Sequence, residues 1–191
     1  MHKLANTWTL WIHLPYDTDW SLNSYKKISN FNTLEDAIIF IENLNKNIIE
    51  KCMIFVMKNN IKPIWEDPEN KNGGCFSYKI NIDDIYDIWK KLFYNLICNI
   101  ITDDNDLIQN INGISLSPKK NFSILKFWIK TTDNSILKYT IPDVITQNTK
   151  NTQTTNDDTN SNYYLNDPLK LHSQHGLDEQ LCIYKTYNNE Y

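Results

Sequence analysis

Residues 65–74 read Trp65-Glu66-Asp67-Pro68-Glu69-Asn70-Lys71-Asn72-Gly73-Gly74. An indole opens a stretch that is otherwise acidic, amidic and glycine-rich, which is the composition of a loop. Before it lie a short apolar strand over residues 52–57 and the turn Lys58-Asn59-Asn60; after it Phe76, Tyr78 and Ile80 alternate as another strand. A second indole stands in the same situation, Trp20 within Asp17-Thr18-Asp19-Trp20-Ser21. A large ring on a polar loop loses hydrophobic stabilisation unless something covers it. Either ring alone reads as a loop anchor folded back on the protein. Two of them, one followed directly by an acid, point to a flat ligand held between two aromatic faces.

The pattern extends outward from these loops. Trp8, Leu10, Ile12 and Leu14 alternate with Thr9, Trp11 and His13 as a first strand, and residues 25–31 predict a second. Thr33-Leu34-Glu35-Asp36 is a helix N-cap, followed at helical spacing by Ala37, Ile38, Ile41 and Leu44. Ile85, Ile88, Trp89, Leu92, Phe93, Leu96 and Ile97 give another helix one broad apolar face. An acidic loop over 102–106 precedes a hairpin with arms 111–117 and 122–130, turning at Pro118-Lys119-Lys120-Asn121. Residues 163–191 regain apolar content and predict a closing strand. Strands dominate and do not alternate regularly with helices. The fold class is therefore α+β: a mostly antiparallel sheet with helices packed on one face.

The chain has 191 residues, 41% hydrophobic and 13% aromatic, enough for one domain with a real core, and residues 1–191 are read as that domain. The run 146–162 contains no apolar residue and reads as a flexible polar loop. Nineteen basic against 23 acidic residues leave a formal charge of −4, which excludes bulk attraction to nucleic acid; any RNA contact must be local. No run of 18 apolar residues predicts a membrane span, and the first twenty residues hold no signal-peptide core. Cys52, Cys75, Cys98 and Cys182 are widely spaced, as reduced thiols of an intracellular protein are, and His172 and His175 lack companions at metal spacing. No metal or cofactor is expected. Every basic residue is lysine, and Asn and Ile are heavily used, the drift of a low-GC genome such as that of a large DNA virus or a parasite.

Two indole faces stacking on a base contribute about 1–3 kcal/mol per base. A positively charged ring gains about 2 kcal/mol more when desolvated, because the indole face is negative. Glu66 offers only acceptors, so it selects a ring edge with two adjacent N–H donors. Guanine N1–H and N2–H₂ form such an edge, and the contact would be charge-assisted.

The 65–74 stretch, the opening Trp8-Thr9-Leu10-Trp11 and Phe31-Asn32-Thr33-Leu34-Glu35-Asp36 together resemble the eukaryotic translation initiation factor 4E family. The spacing of Trp8, Trp11, Trp20, Trp65, Trp89 and Trp128 follows the same family, over roughly residues 2–131. The resemblance implies a cupped antiparallel sheet with about three helices on its convex back. It implies that Trp20 and Trp65 sandwich the 7-methylguanine of the mRNA cap, with Glu66 on the guanine edge and Trp128 against the N7-methyl group. Cap phosphates would meet Lys119 and Lys120. The family's second basic position falls on Ile124, which makes Lys126, on the strand face of Trp128, the substitute; a third basic position holds Cys75. A solvated turn is the plain alternative for Lys119 and Lys120, and a core position for Trp128.

The resemblance also implies a scaffold or inhibitor protein docked as a helix on the convex face. His2, Leu34, Ile38, Lys90, Lys91 and Tyr94 occupy that surface. Ile38 stands at the family's tryptophan, Lys90 at an apolar position and Lys91 at an acidic one. The expected protein is a monomer before complex formation, cytoplasmic with room for a nuclear pool, not an enzyme, and active in translation initiation. One alternative is a cap-binding repressor that does not recruit the ribosome. Another is a cap- or nucleotide-processing enzyme using Glu66, Asp67 and Glu69 as metal carboxylates.

Overall fold

The computed structural model describes residues 1–131, 163–165 and 182–187. The expected polar loop at 146–162 and the histidines His172 and His175 lie outside them. Among the described residues, eight strands form one curved antiparallel sheet in the order β2-β1-β3-β5-β6-β4-β8-β7. They are β1 Lys3–His13, β2 Tyr25–Thr33, β3 Met53–Lys58, β4 Gly74–Asn81, β5 Ile111–Pro118, β6 Phe122–Ile129, β7 Tyr163–Leu165 and β8 Cys182–Thr186. Four α-helices occur among the described residues: α1 Leu34–Glu42, α2 Lys46–Lys51, α3 Ile85–Ile97 and α4 Asn105–Asn110.

Side chains alternate across a strand, so each strand feeds two faces. Trp8 and Leu10 of β1, Ile54 and Val56 of β3, Ile114 and Leu116 of β5, Leu125, Phe127 and Ile129 of β6, and Phe76, Tyr78 and Ile80 of β4 all point to one side. There they meet Ala37 and Ile41 of α1, Ile49 of α2, and the apolar face of α3, including fully buried Trp89 and Phe93. Truncating one such aromatic to alanine costs about 3–5 kcal/mol. Trp11, Phe55, Met57 and Trp128, at the intervening positions, form a smaller cluster on the opposite, open face.

The predicted N-cap is observed: the Asp36 N–H donates to Thr33 Oγ1, and the Thr33 hydroxyl donates to the Asp36 carboxylate. The expected hairpin is β5 and β6. The acidic loop over 102–106 turns out to start a helix, because Asp104 accepts from the N–H groups of Asp106 and Leu107 and so caps α4. No described helix is long and apolar enough to cross a membrane.

The first residues are tied to α1. The Glu35 carboxylate accepts from the His2 backbone N–H at 2.9 and 3.0 Å and meets His2 Nδ1 at 2.8 Å, while the Leu34 N–H donates to the His2 carbonyl at 2.9 Å. Its own backbone N–H first, and then the His2 ring and N–H, lower the Glu35 carboxyl from 4.5 to about 2. A carboxyl depressed in the folded state contributes stability above its unfolded pKa and loses it as pH falls through the folded one. The tie should therefore hold at neutral pH, weaken below 4.5 and release near 2. Hydrogen exchange at the Leu34 amide, slow at neutral pH and fast in Glu35→Gln at the same pH, is the measurement that checks it.

Candidate functional site

Two loops rise over the open face. The first joins β1 to β2 and is built from consecutive aspartate turns: Asp17 Oδ1 accepts from the Asp19 N–H at 3.0 Å, and Asp19 accepts from the Ser21 N–H at 2.8 Å and the Ser21 hydroxyl at 2.9 Å. The Ser21 N–H, then the Ser21 hydroxyl, and also the nearby His13 keep the Asp19 carboxyl below its usual range. Trp20, between those turns, is 57% exposed. One of its faces lies parallel on the imidazole of His13, centroids 4.4 Å apart and planes within 3°. His13 Nε2 in turn lies 2.8 Å from the Asp19 carbonyl, so the β1 side chain holds both the loop backbone and the ring.

The second loop leaves β3 at Lys58 and enters β4 at Gly74. The sheet order puts β5 and β6 between those strands, so the loop must cross three strand spacings, about 14 Å. Its polar residues fasten it along the way. The Asp67 carboxylate accepts from the N–H groups of Lys62 at 2.9 Å and Glu69 at 3.0 Å. Asn70, fully buried, donates to the carbonyls of Lys62 and Ile64. Asn112, reaching from β5, donates to the Glu69 carbonyl at 2.7 Å and to Asn70 Oδ1 at 3.0 Å. Lys130, just past β6, pairs with Glu69 at 2.9 Å. Gly73 passes so close to β6 that a Cβ there would fall 1.7 Å from the Ile129 carbonyl oxygen. Trp65, 46% exposed, and exposed Glu66 sit on this fastened frame.

The floor between the loops is aromatic. Tyr25 meets His13 edge-on at 5.1 Å and Phe55 at 5.3 Å, and Phe55 meets Trp128 at 6.2 Å. Burial raises the Tyr25 hydroxyl above its ordinary pKa, and the charges of Glu66 and Asp19 raise it further. The carboxylates of both loops thus lie within electrostatic reach of one hydroxyl. Trp128 is 7% exposed; its Nε1–H donates to Ser115 Oγ at 2.9 Å, and Tyr187 lies against it at 5.5 Å. It is therefore both a core residue of the open face and part of the floor.

Lys119 and Lys120 are exposed in the β5–β6 turn, which the Lys119 N–H closes on the Phe122 carbonyl at 2.8 Å. Lys126 lies opposite Ser115 on β5 and Ser77 on β4, two residues from Trp128 and on its face. Lys185 of β8 lies opposite Cys75, itself opposite Trp128, so the pairing adds a lysine to the open face. His13, Tyr25, Phe55, Asn112, Lys185 and Tyr187 were not singled out from sequence; strand register reveals the common face of His13, Tyr25, Phe55 and Lys185, and hydrogen bonds to the second loop bring in Asn112 and Tyr187.

Of the residues expected at a partner, Leu34 and Ile38 lie on α1 and Lys90, Lys91 and Tyr94 on α3, while His2 precedes β1. Glu42 of α1 accepts from Lys90 at 2.7 Å and from the Tyr94 hydroxyl at 2.7 Å, which ties α1 to α3. Burial and Glu42 push the Tyr94 hydroxyl well above its usual pKa, and the contact with Glu42 also raises Lys90. His2 is held by Glu35, Leu34 packs against the core, Ile38 is 40% exposed, and Lys91 is exposed. No group of side chains arranged to hold a metal occurs among the described residues, and Asp67 and Glu69 already have the partners given above.

The family model of eukaryotic initiation factor 4E matches residues 3–176, and the chain belongs to that family. A homologue of the factor from Acanthamoeba polyphaga mimivirus is 26% identical over 136 residues, 60% of this chain and 50% of the relative. The Saccharomyces cerevisiae factor is 29% identical over 143 residues, 71% of this chain and 65% of the relative. The chain thus spans between half and two thirds of the length of these relatives. Among solved structures, a Schistosome eIF4E complexed with m7GpppG and 4E-BP aligns with a TM-score of 0.63 at 25% identity, covering 70% of this chain and 75% of the other. An Ascaris suum eIF4E-3 with m2,2,7G cap aligns with a TM-score of 0.63 at 19% identity, over 72% and 78%.

The asparagine frame makes a prediction. Asn70→Ala or Asn112→Ala should each cost about 1–3 kcal/mol, because each strands buried carbonyl or amide groups. The double variant should lose less than the sum, since the two side chains bond each other. Urea denaturation of the three variants is the check.

Proposed function

We propose that the protein binds the 7-methylguanosine cap of mRNA, with the base between Trp20 and Trp65 and its edge on Glu66, and acts in translation initiation through a scaffold protein. The observation that carries the reading is the convergence of two loops. Each presents an exposed indole, and the acids beside those indoles, Asp19 and Glu66, both act on Tyr25 in the floor between them. The Schistosome factor, from the same family, was solved with m7GpppG and 4E-BP, which supports extending both kinds of ligand to this chain. Trp128 would wall the site beside the methyl group, and the lysines of the hairpin and open face would meet the phosphates. The roles of Asp67 and Glu69 in fastening the loop argue against a metal-dependent enzyme.

Trp20→Ala or Trp65→Ala should abolish most 7-methyl-GTP affinity and leave the fold intact, since both rings are loop residues. Glu66→Gln faces donors with a donor and removes the charge; that should cost about 1.5–3 kcal/mol, or one to two decades. Calorimetric titration checks all three, and normal binding by any of them would refute the assignment. GTP, whose ring is uncharged at neutral pH, should bind far more weakly.

For the phosphates, the double variant Lys119→Ala/Lys120→Ala should weaken 7-methyl-GTP more than the nucleoside 7-methylguanosine. It should also flatten the salt dependence by about one counterion per lost contact. Equal losses for both ligands would move the contact to Lys126 or Lys185.

A repressor that binds the cap without recruiting the usual scaffold is the second reading, because the family resemblance implies altered residues on α1 and α3, where a partner helix would dock. Ile38 replaces an aromatic ring, and Lys90 is engaged by Glu42. Lys91 brings positive charge to a surface where an acid would favour basic partners. Family-type peptides with basic residues should therefore bind poorly, and Lys91→Glu should improve them. Tight binding of such a peptide to the unmodified protein, measured by anisotropy, would refute the altered specificity.

A further inference from the structure

We propose that His13 is a positioning residue for Trp20, holding the indole so that its other face can receive a positively charged planar base. The inference rests on the cap reading above. His13 is 2% exposed, although its side chain is polar and it ends a strand at the mouth of a loop. Its plane lies within 3° of the indole, so it covers one face of Trp20 completely enough to fix the ring's orientation and leaves the other face for a ligand. Its Nε2 lies 2.8 Å from the Asp19 carbonyl. A carbonyl oxygen only accepts, so Nε2 carries the hydrogen, and the same imidazole that backs the indole also ties down the loop backbone.

The ring is packed on its other sides as well: Tyr25 of β2 approaches it edge-on at 5.1 Å, and Met53 of β3 lies opposite it in the sheet.

The test uses the full chain and the dinucleotide cap m7GpppG, with affinities read by calorimetry at neutral pH. His13→Ala should lose at least about tenfold, with Trp20 no longer backed. His13→Phe, which keeps a flat ring behind Trp20, should rescue most of that loss. Unchanged affinity of folded His13→Ala would overturn the positioning role, and so would a loss in folded His13→Phe as large as that in His13→Ala. Failure of the unmodified protein to bind m7GpppG would overturn the cap reading and this inference with it.

Discussion

The structure depends on the two-residue period of its strands. In β1, Trp8 and Leu10 must face the helices so that Trp11 and His13 can face the open side. A slip of one residue would send every one of these side chains to the wrong face. The same constraint recurs in β3, where Ile54 and Val56 interleave with Phe55 and Met57, and in β6, where Phe127 and Trp128 are neighbours on opposite sides. The helical core supplies the energy that selects the register, and the aromatic floor inherits its geometry from that choice.

That dependence explains what sequence reading reached. The cap at Thr33, the apolar face of α3 and the β5–β6 hairpin rest on local chemistry, and each was legible. So were Trp20, Trp65 and Glu66, because an indole in a polar loop stands out against its surroundings. The short helices α2 and α4 were not. Each is six residues long and begins at an Asn or Asp cap within polar sequence, too short for a periodic pattern to emerge. His13 was visible only as a term in an alternation. Tyr25, Phe55 and Asn112 sit on separate strands, and Tyr187 lies more than fifty residues beyond Trp128. Nothing local connects them; strand pairing does so for Tyr25 and Phe55, and hydrogen bonds to the second loop for Asn112 and Tyr187.

The loop that carries Trp65 shows how a polar sequence can be rigid. Two of the acidic and amidic side chains that suggest solvation bond the loop itself, Asp67 and the buried Asn70, and Asn112 ties the loop to β5. Buried amides impose direction as well as stability, because each donor must find its acceptor. Trp65 and Glu66 are then exposed side chains on a backbone that the buried amides hold in place. The helical face is settled in a similar way by charge, with Glu42 holding Lys90 and Tyr94 together and Glu35 holding His2.

The insertion of β5 and β6 between β3 and β4 also governs when the site can come into being. A growing chain that has just completed β4 holds Trp20, Trp65 and Glu66, yet the hairpin that separates β3 from β4 has not been made. Asn112, the Ile129 carbonyl facing Gly73, and Tyr187 are supplied later still, in that order along the chain. Contacts of such long sequence separation form late and slowly. Recognition is consequently a property of the finished polypeptide, and any molecule that occupies the site binds only the folded form and shifts the folding equilibrium toward it by mass action.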